Sequence, residues 1–394
     1  MKRRTTTSRL LRHLNRAAVI NLIRQQEVIS PTRIASELNI SIATVMRVVE
    51  TLIEEDLVEY GGFGESTGGR PPANLKFKGS SYGVVGIDLG APRLFGAVSD
   101  LNGHIQTERY ADCDPKSGEL NLERLILLIR ELLEESRALG RKIRGIGVGV
   151  PSIVRVPEGH VERAQKLHWR DLPLKKILSE HFSEQVFVDN MVNLAAVAEW
   201  GFGAGRRADS LVCLLVGTGT GAGIILNGRL FRGHSHAAGE IGWLLHNELL
   251  SGRRFPRLGR SKDLNYGPGM PQKVFDTLEA LDLEFLAGNF DVKALSNPKM
   301  LKGNPSLLLV HDMIDYLTLA IATLCTVLNP PTVILAGDIS RGAKLVADRL
   351  RHRLEGQLPS MPRIVVSELG YRTVALGAIM TVLDATALNK AIAS

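Results

Sequence analysis

The chain has 394 residues, 44% of them hydrophobic, and a net charge of +7. That length and apolar content fit two or three folded domains and exclude a disordered protein. Its three cysteines, Cys113, Cys213 and Cys325, are too far apart for a metal knuckle or a dithiol motif, which excludes a disulfide framework and fits a reducing, cytoplasmic compartment.

The first 33 residues hold eight Lys/Arg against one acid, Glu27, so this end accounts for the whole net charge. A basic end on a neutral body points to an anionic partner. No apolar signal-peptide core is present there. Three helices are predicted in this region. The first runs from about Leu10 to Gln26, with Leu11, Leu14, Ala18 and Leu22 on its inward face. In the second, Ser30 is the cap, Pro31 the first helical residue, and Ile34, Ala35 and Leu38 face inward. After a tight turn at Asn39-Ile40, Ser41 caps the third, which turns Val45, Val48, Val49, Leu52 and Ile53 inward.

Two short helices around such a turn form a helix-turn-helix, whose last helix enters the major groove of double-stranded DNA. The residues placed to face DNA are Thr32, Arg33, Ser41, Ile42, Ala43, Thr44 and Arg47; Arg47 can pair with a guanine edge, and Ile42 or Ala43 can touch a thymine methyl. Two strand-like pieces then flank a glycine-rich tip bearing Arg70, a β-wing within reach of a phosphate or the minor groove. A helical protein-interaction domain of the same shape is the competing reading. The segments SPTRIASELNISIATVMRVVETLIEEDLV (30–58) and TGGRPPANLKF (67–77) resemble the winged helix at the front of the ROK family, which joins repressors, open reading frames and kinases.

From Tyr82 onward strands and helices alternate. Val84–Asp88 leads into Asp88-Leu89-Gly90 and a second strand at Leu94–Val98. Leu211–Val216 leads into Gly217-Thr218-Gly219-Thr220-Gly221 and then Gly223–Leu226. A glycine turn between strands lets backbone N–H groups approach a phosphate, although either turn alone is more often just a hairpin. The repeated pattern predicts an α/β, two-lobed, actin- and hexokinase-like ATPase fold behind the winged helix-turn-helix. Domain boundaries are expected at 1–81, 82–193 and 194–394, with the last helix returning to the first lobe. The apolar run Leu307–Leu328 is interrupted by His311, Asp312 and Asp315, so no membrane span is expected.

Leu214–Trp243, GIGVGVPSIV (Gly145–Val154), Arg163–Leu174 and Asn329–Ser340 resemble the ROK kinase domain, and the likeness covers essentially all of 82–390. Its departures bear on function. The resemblance implies an Asn-Asp pair whose Asp takes a proton from the attacking sugar hydroxyl. Here Asn190 is followed by Met191, and a thioether cannot accept that proton. Asp189 precedes Asn190 and is expected to face away. The first phosphate loop of the family, Asp-x-Gly-Gly-Thr-Lys, reads Asp88-Leu89-Gly90-Ala91-Pro92-Arg93, and Pro92 lacks both a hydroxyl and an N–H. The family's zinc ligands are replaced or missing, with Trp243 at the His position, so no metal and no cofactor are expected. The segment Leu250–Pro271, rich in Gly, Pro and Arg, is expected to be a mobile loop.

The resemblance places Ser152, Lys166, Asn190, Glu240 and Trp243 around an effector. Lys166 and Trp243 would suit an anionic sugar, such as a sugar phosphate or sugar acid; Lys166 in solvent and Trp243 filling space is the equal alternative. Three functions follow: a sugar-responsive transcriptional regulator, acting as a homodimer or homotetramer on a two-fold-related operator; an active kinase with a DNA-binding appendage; or a ligand-independent architectural DNA-binding protein.

Overall fold

A computed structural model describes residues 3–385 apart from 27, 64–72, 207, 218, 246–271, 291–294, 296–300 and 302. The front of the chain is α1 (Arg3–Gln25), α2 (Pro31–Leu38), α3 (Ile42–Glu54) and an antiparallel hairpin of β1 (Val58–Phe63) and β2 (Ala73–Phe77). Ile29 adds a rung to this hairpin, exchanging backbone bonds with Leu75 at 3.0 and 2.8 Å. The inward face of α1 differs from the predicted one. Ala17, Val19, Ile20 and Ile23 are buried, whereas Leu11 and Leu14 are exposed and Leu22 only half-buried. Leu11 and Leu14 stand outside the apolar cluster that takes up the second half of α1, so they gave a misleading helical phase.

The first lobe is a five-stranded sheet in the order β10-β6-β3-β4-β5. Its strands are β3 (Tyr82–Asp88), β4 (Arg93–Ser99), β5 (Ile105–Asp112), β6 (Lys142–Val150) and β10 (Val186–Asn190). Helix α4 (Gly118–Ala138) covers one face. A small three-stranded sheet, β7 (Val154–Arg155), β8 (His160–Ala164) and β9 (Trp169–Leu172), and α5 (Leu174–His181) complete the lobe.

The second lobe repeats the plan. Its sheet runs β13-β12-β11-β14-β15, from β11 (Leu211–Val216), β12 (Thr220–Leu226), β13 (Arg229–Leu230), β14 (Thr332–Ala336) and β15 (Arg363–Val366). In both lobes an antiparallel hairpin (β3–β4, β11–β12) is extended by two parallel strands (β6 and β10, β14 and β15). The parallel strands are almost wholly apolar, as expected for strands buried on both faces. Helices α7 (Gln272–Leu286), α8 (Pro305–Leu328) and α9 (Ala343–Leu354) pack together around the core of this lobe. By length and composition α8 could cross a membrane. However, Leu307, Val310, Met313, Ile314 and Leu317 are buried in that core, and its polar positions are engaged: Arg353 of α9 pairs with Asp315.

Two helices join the parts. Helix α6 (Met191–Gly201) leaves β10 and packs along α10 (Thr373–Leu383), and α10 lies against β3 and β6 of the first lobe. Leu376, Ile379, Val382 and Leu383 of α10 share one continuous apolar cluster with Val19, Ile20, Ile23, Val45, Val49 and Leu52 of the front helices. The winged helix is therefore seated on the body through a common core. Arg24 near the end of α1 is desolvated there, which pushes its pKa down against the attraction of Asp384.

Candidate nucleic-acid interface and interlobe cleft

The two capped turns predicted from sequence form as capped turns. Ser30 Oγ accepts from Arg33 N at 3.3 Å, and Ser41 Oγ accepts from Thr44 N at 3.2 Å. Asn39 ends α2 in the left-handed region, φ 51°, which allows the abrupt change of direction into α3. Thr32, Arg33, Ser41, Ile42, Ala43 and Arg47 are exposed. Thr44 is half-buried, with its hydroxyl 2.8 Å from Ser41 Oγ, so it reinforces the cap. Arg33 pairs with Glu37 at 2.7 Å in an exposed i,i+4 bridge, a weak contact that leaves the guanidinium at the surface. Arg70 lies outside the described residues.

Two contacts were missed by sequence reasoning: one ties the front helices to each other and the other fixes the unit to the body. Arg16 of α1 bridges to Glu55, the residue after α3, at 2.6 Å. Tyr82, the first residue of β3, donates its hydroxyl to the Glu55 carbonyl, and Arg144 of β6 lies over its ring, 3.9 Å from the centroid. A tyrosine opening a strand carries no sequence signal of such a role.

The second site lies where the carboxyl ends of the central strands of both lobes meet, the usual place for a ligand in an α/β sheet. Asn190 caps α6, accepting from Val192 N at 2.8 Å through Oδ1. Its Nδ2 donates to Glu240 Oε1 of the second lobe at 3.2 Å. Burial pushes the Glu240 carboxyl up, against the hydrogen bond from Asn190. Sequence reasoning paired these two residues only by resemblance; the structure puts them in contact. Met191 is half-buried and packs with Leu194 and Ala195. Asp189 is buried, accepting from Asn193 Nδ2 at 3.3 Å and pairing with Arg232 of the second lobe. Arg232 was not anticipated; its basic charge beside the Gly-His-Ser-His turn was the available clue.

The other predicted effector residues divide. Ser152 is buried, but its hydroxyl donates to Ile153 O at 3.1 Å and accepts from Arg163 N at 3.1 Å, so it serves its own turn. Lys166 stands on a short helical turn, Gln165–Leu167, and feels Asp338 of the second lobe. Burial lowers its pKa and that carboxylate opposes the shift. Asp338 is in turn raised by burial, against Arg341 and Lys166. Trp243 is 42% exposed on the helical turn Ile241–Leu245.

The two phosphate-loop candidates also differ. Asp88 ends β3, and burial pushes its carboxyl up to about 7, partly offset by a backbone hydrogen bond from Gly90. In the second loop, Gly217 N donates to Gly219 O at 2.9 Å, which closes a hairpin tip in register with Val216 and Thr220. A Cβ on Gly217 would lie 3.0 Å from Asp338 Oδ2. On Gly221 it would lie 2.8 Å from Val192, and on Gly223 2.5 Å from the Val192 carbonyl oxygen. These last two glycines are needed for α6 to approach β12, whether or not a phosphate binds. Thr220 is buried, and Thr218 lies outside the described residues.

Among the described residues no group of three His, Cys, Asp or Glu is placed to hold a metal ion. The expected loop Leu250–Pro271 lies outside the described residues.

Comparison with known proteins gives two family matches. Residues 84–258 match the ROK family, and residues 6–59 match a winged helix-turn-helix DNA-binding family. A xylose repressor of Caldicellulosiruptor bescii is 36% identical over 237 residues, 59% of this chain and 59% of that protein. The xylose repressor of Bacillus subtilis is 27% identical over 390 residues, 95% of this chain and 96% of that one. The DNA-binding transcriptional dual regulator NagC of Escherichia coli is 26% identical over 384 residues, covering 95% and 93%. Among solved structures, a ROK family transcriptional regulator homologous to the E. coli MLC protein shares the fold over 96% of this chain and 98% of its own, with a TM-score of 0.74 and 22% identity.

Proposed function

The chain belongs to the ROK family and carries a winged helix-turn-helix at its front, and on that premise we propose that it is a DNA-binding transcriptional repressor governed by a sugar or sugar derivative. The relatives named as sugar repressors support the class of effector; they differ in their sugar, xylose for some and N-acetylglucosamine for others, so the class rather than one sugar is assigned. The work is cytoplasmic, on double-stranded DNA, by a homodimer or homotetramer reading a two-fold-related operator.

The observation that carries the reading is the unbroken route from cleft to DNA face. Asn190 caps α6, α6 packs on α10, and α10 shares its core with α1 and α3. A sugar hydroxyl that takes the place of one partner in the Asn190–Glu240 bond would tie the two lobes differently. Such a ligand shifts the protein only by its difference in affinity for the two arrangements. Glu240, Asn190 and Trp243 are the effector contacts of this proposal; Lys166 is a fourth if the effector is anionic.

The body does not act as a kinase in this proposal. Met191 stands where the resemblance calls for a carboxylate base, and Asp189 is occupied by Arg232 and Asn193. A duplex selected from random sequence by the purified protein provides the test. Xylose, N-acetylglucosamine and their phosphates are titrated against that complex, and ADP formation is followed in parallel. Release of DNA by one of these without ADP formation is expected. Sugar-dependent ADP formation, or equal affinity for selected and random DNA, would overturn the proposal.

A further inference from the structure

On the side of the second lobe away from the cleft, the last turns of α9 and the start of β15 line an open cavity of about 630 Å³. That volume falls within the range of small-molecule sites. Three arginines line it: Arg349 and Arg351 from α9, and Arg363 from β15. Arg349 is only 6% exposed, yet its Nε is buried without a hydrogen-bond partner, and no carboxylate among the described residues lies within ion-pair distance of it. Its neighbour Asp348 attracts it through space, but burial still lowers its pKa. A buried guanidinium without a bonded anion is costly unless something completes it.

The other two arginines are held by neutral groups. Arg351 donates to the Ile364 carbonyl at 2.7 Å, and Arg363 donates to the Ala204 carbonyl at 3.3 Å. Neither contact cancels the charge, and both leave guanidinium N–H groups over. The carboxylates in the wall are Asp348 and Glu355, fewer than the arginines even before His352 is counted. The carbonyl end of α9 accounts for basic residues in its last turn. It does not account for Arg349, which precedes that turn and is buried, or for Arg363 on another element. Pro362, Ile364 and Val365 supply an apolar wall.

We propose that this cavity is a second ligand site, separate from the interlobe cleft, for a small organic phosphate monoester. A phosphate dianion takes two N–H bonds from one planar guanidinium and can answer more than one arginine at once. The apolar wall receives the organic part. The site is distinct from the cleft by topology. Asp338 and Gly217 stand at the carboxyl ends of β14 and β11, and α9 runs from there to the opposite end of the sheet.

Calorimetric titration of the full chain at low ionic strength with phenyl phosphate, inorganic phosphate and phenol tests this. One phenyl phosphate per chain is expected, with inorganic phosphate weaker and phenol without saturable binding. Arg349→Met should weaken phenyl phosphate by about tenfold or more. The same change should raise the melting temperature of the free protein, because an unpaired buried cation is replaced by an apolar chain. Arg363→Met, on a more exposed element, should weaken binding too and stands in if Arg349→Met does not fold. Glu240→Gln, in the cleft, should leave the affinity unchanged. Absence of saturable binding, unchanged affinity in the arginine variants, or loss of binding in Glu240→Gln alone would each overturn the proposal.

Discussion

On α2 and at the front of α3 these polar side chains lie at the surface and meet their partners at ordinary distances, Arg33 with Glu37 and Ser41 with Thr44. On the floor of the cleft, Asp88 and Glu240 are desolvated and only partly answered, and Lys166 and Asp338 face each other from opposite lobes. At these caps the front satisfies its polar groups within its own turns. The cleft holds groups whose desolvation is only partly offset by their neighbours. A surface of the first kind binds by adding contacts; desolvated titratable groups gathered in a cleft are a common mark of a functional site.

The largest expected effect breaks the cleft at its backbone. Gly239 precedes Glu240 with φ +85°, and a Cβ there would lie 1.7 Å from the Ala222 carbonyl oxygen. Gly239→Ala should destabilise the protein by about 3 kcal/mol or more, since strain and clash both act. Denaturant unfolding measures this. A loss under about 1 kcal/mol would show that the turn before Glu240 is free to rearrange, and the contrast with the rigid front would weaken.

On the DNA face, Arg47→Ala should cost about 1–3 kcal/mol on the preferred duplex and little on random DNA, provided Arg47 reads a guanine. Its stability should hardly change, because the side chain is exposed. Equal losses on both duplexes would reduce Arg47 to a phosphate contact.

The sharpest electrostatic test concerns Asp88. In the unfolded chain its carboxyl titrates near the ordinary value of about 3.9, and folded it titrates at about 7. Between those values the folded chain keeps a proton that the unfolded chain has lost. The group therefore costs nothing at low pH, and stability falls as pH rises from about 4 to about 7, then levels. Asp88→Asn cannot ionise. It should stabilise the protein by about 1–2 kcal/mol at pH 8 and scarcely at pH 4, in unfolding curves taken at both. The same gain at both pH values would mean that ionisation is not the cause.

The front of the chain was legible because its signals are local: a serine cap, Pro31 at the first helical position and Asn39 at the turn act within a few residues. The exception was α1, where Leu11 and Leu14 suggested a buried face that the body does not reach. The repeated strand–turn–strand pattern likewise revealed the two lobes. The cleft was legible only in part. Asn190 and Glu240 are 50 residues apart and meet through the fold, and Arg232 reaches Asp189 across the lobes. Ser152 was placed in the cleft by the resemblance; only geometry shows that its hydroxyl also bonds two backbone groups of its own turn. Spacing says nothing about such competition.

The smallest expected effect joins the two regions. Tyr82 opens β3, the strand that ends at Asp88 in the cleft, and its hydroxyl donates to the carbonyl of Glu55 just after α3. Tyr82→Phe keeps the ring beneath Arg144 and removes only that donor. The expected cost is about 1 kcal/mol, that of one hydrogen bond to a neutral acceptor. The ion pair from Arg16 to Glu55 should persist, because it uses the carboxylate rather than the carbonyl. Amide hydrogen exchange separates this local effect from general loosening. Exchange should quicken in the last turn of α3 and in Glu55–Leu57, while α2 and α6 keep their protection. Faster exchange throughout α6 would mean that Tyr82 supports the body as a whole. No change near Glu55 would mean that the front is seated by its apolar core alone, through Ile20, Ile23, Ile379 and Val382.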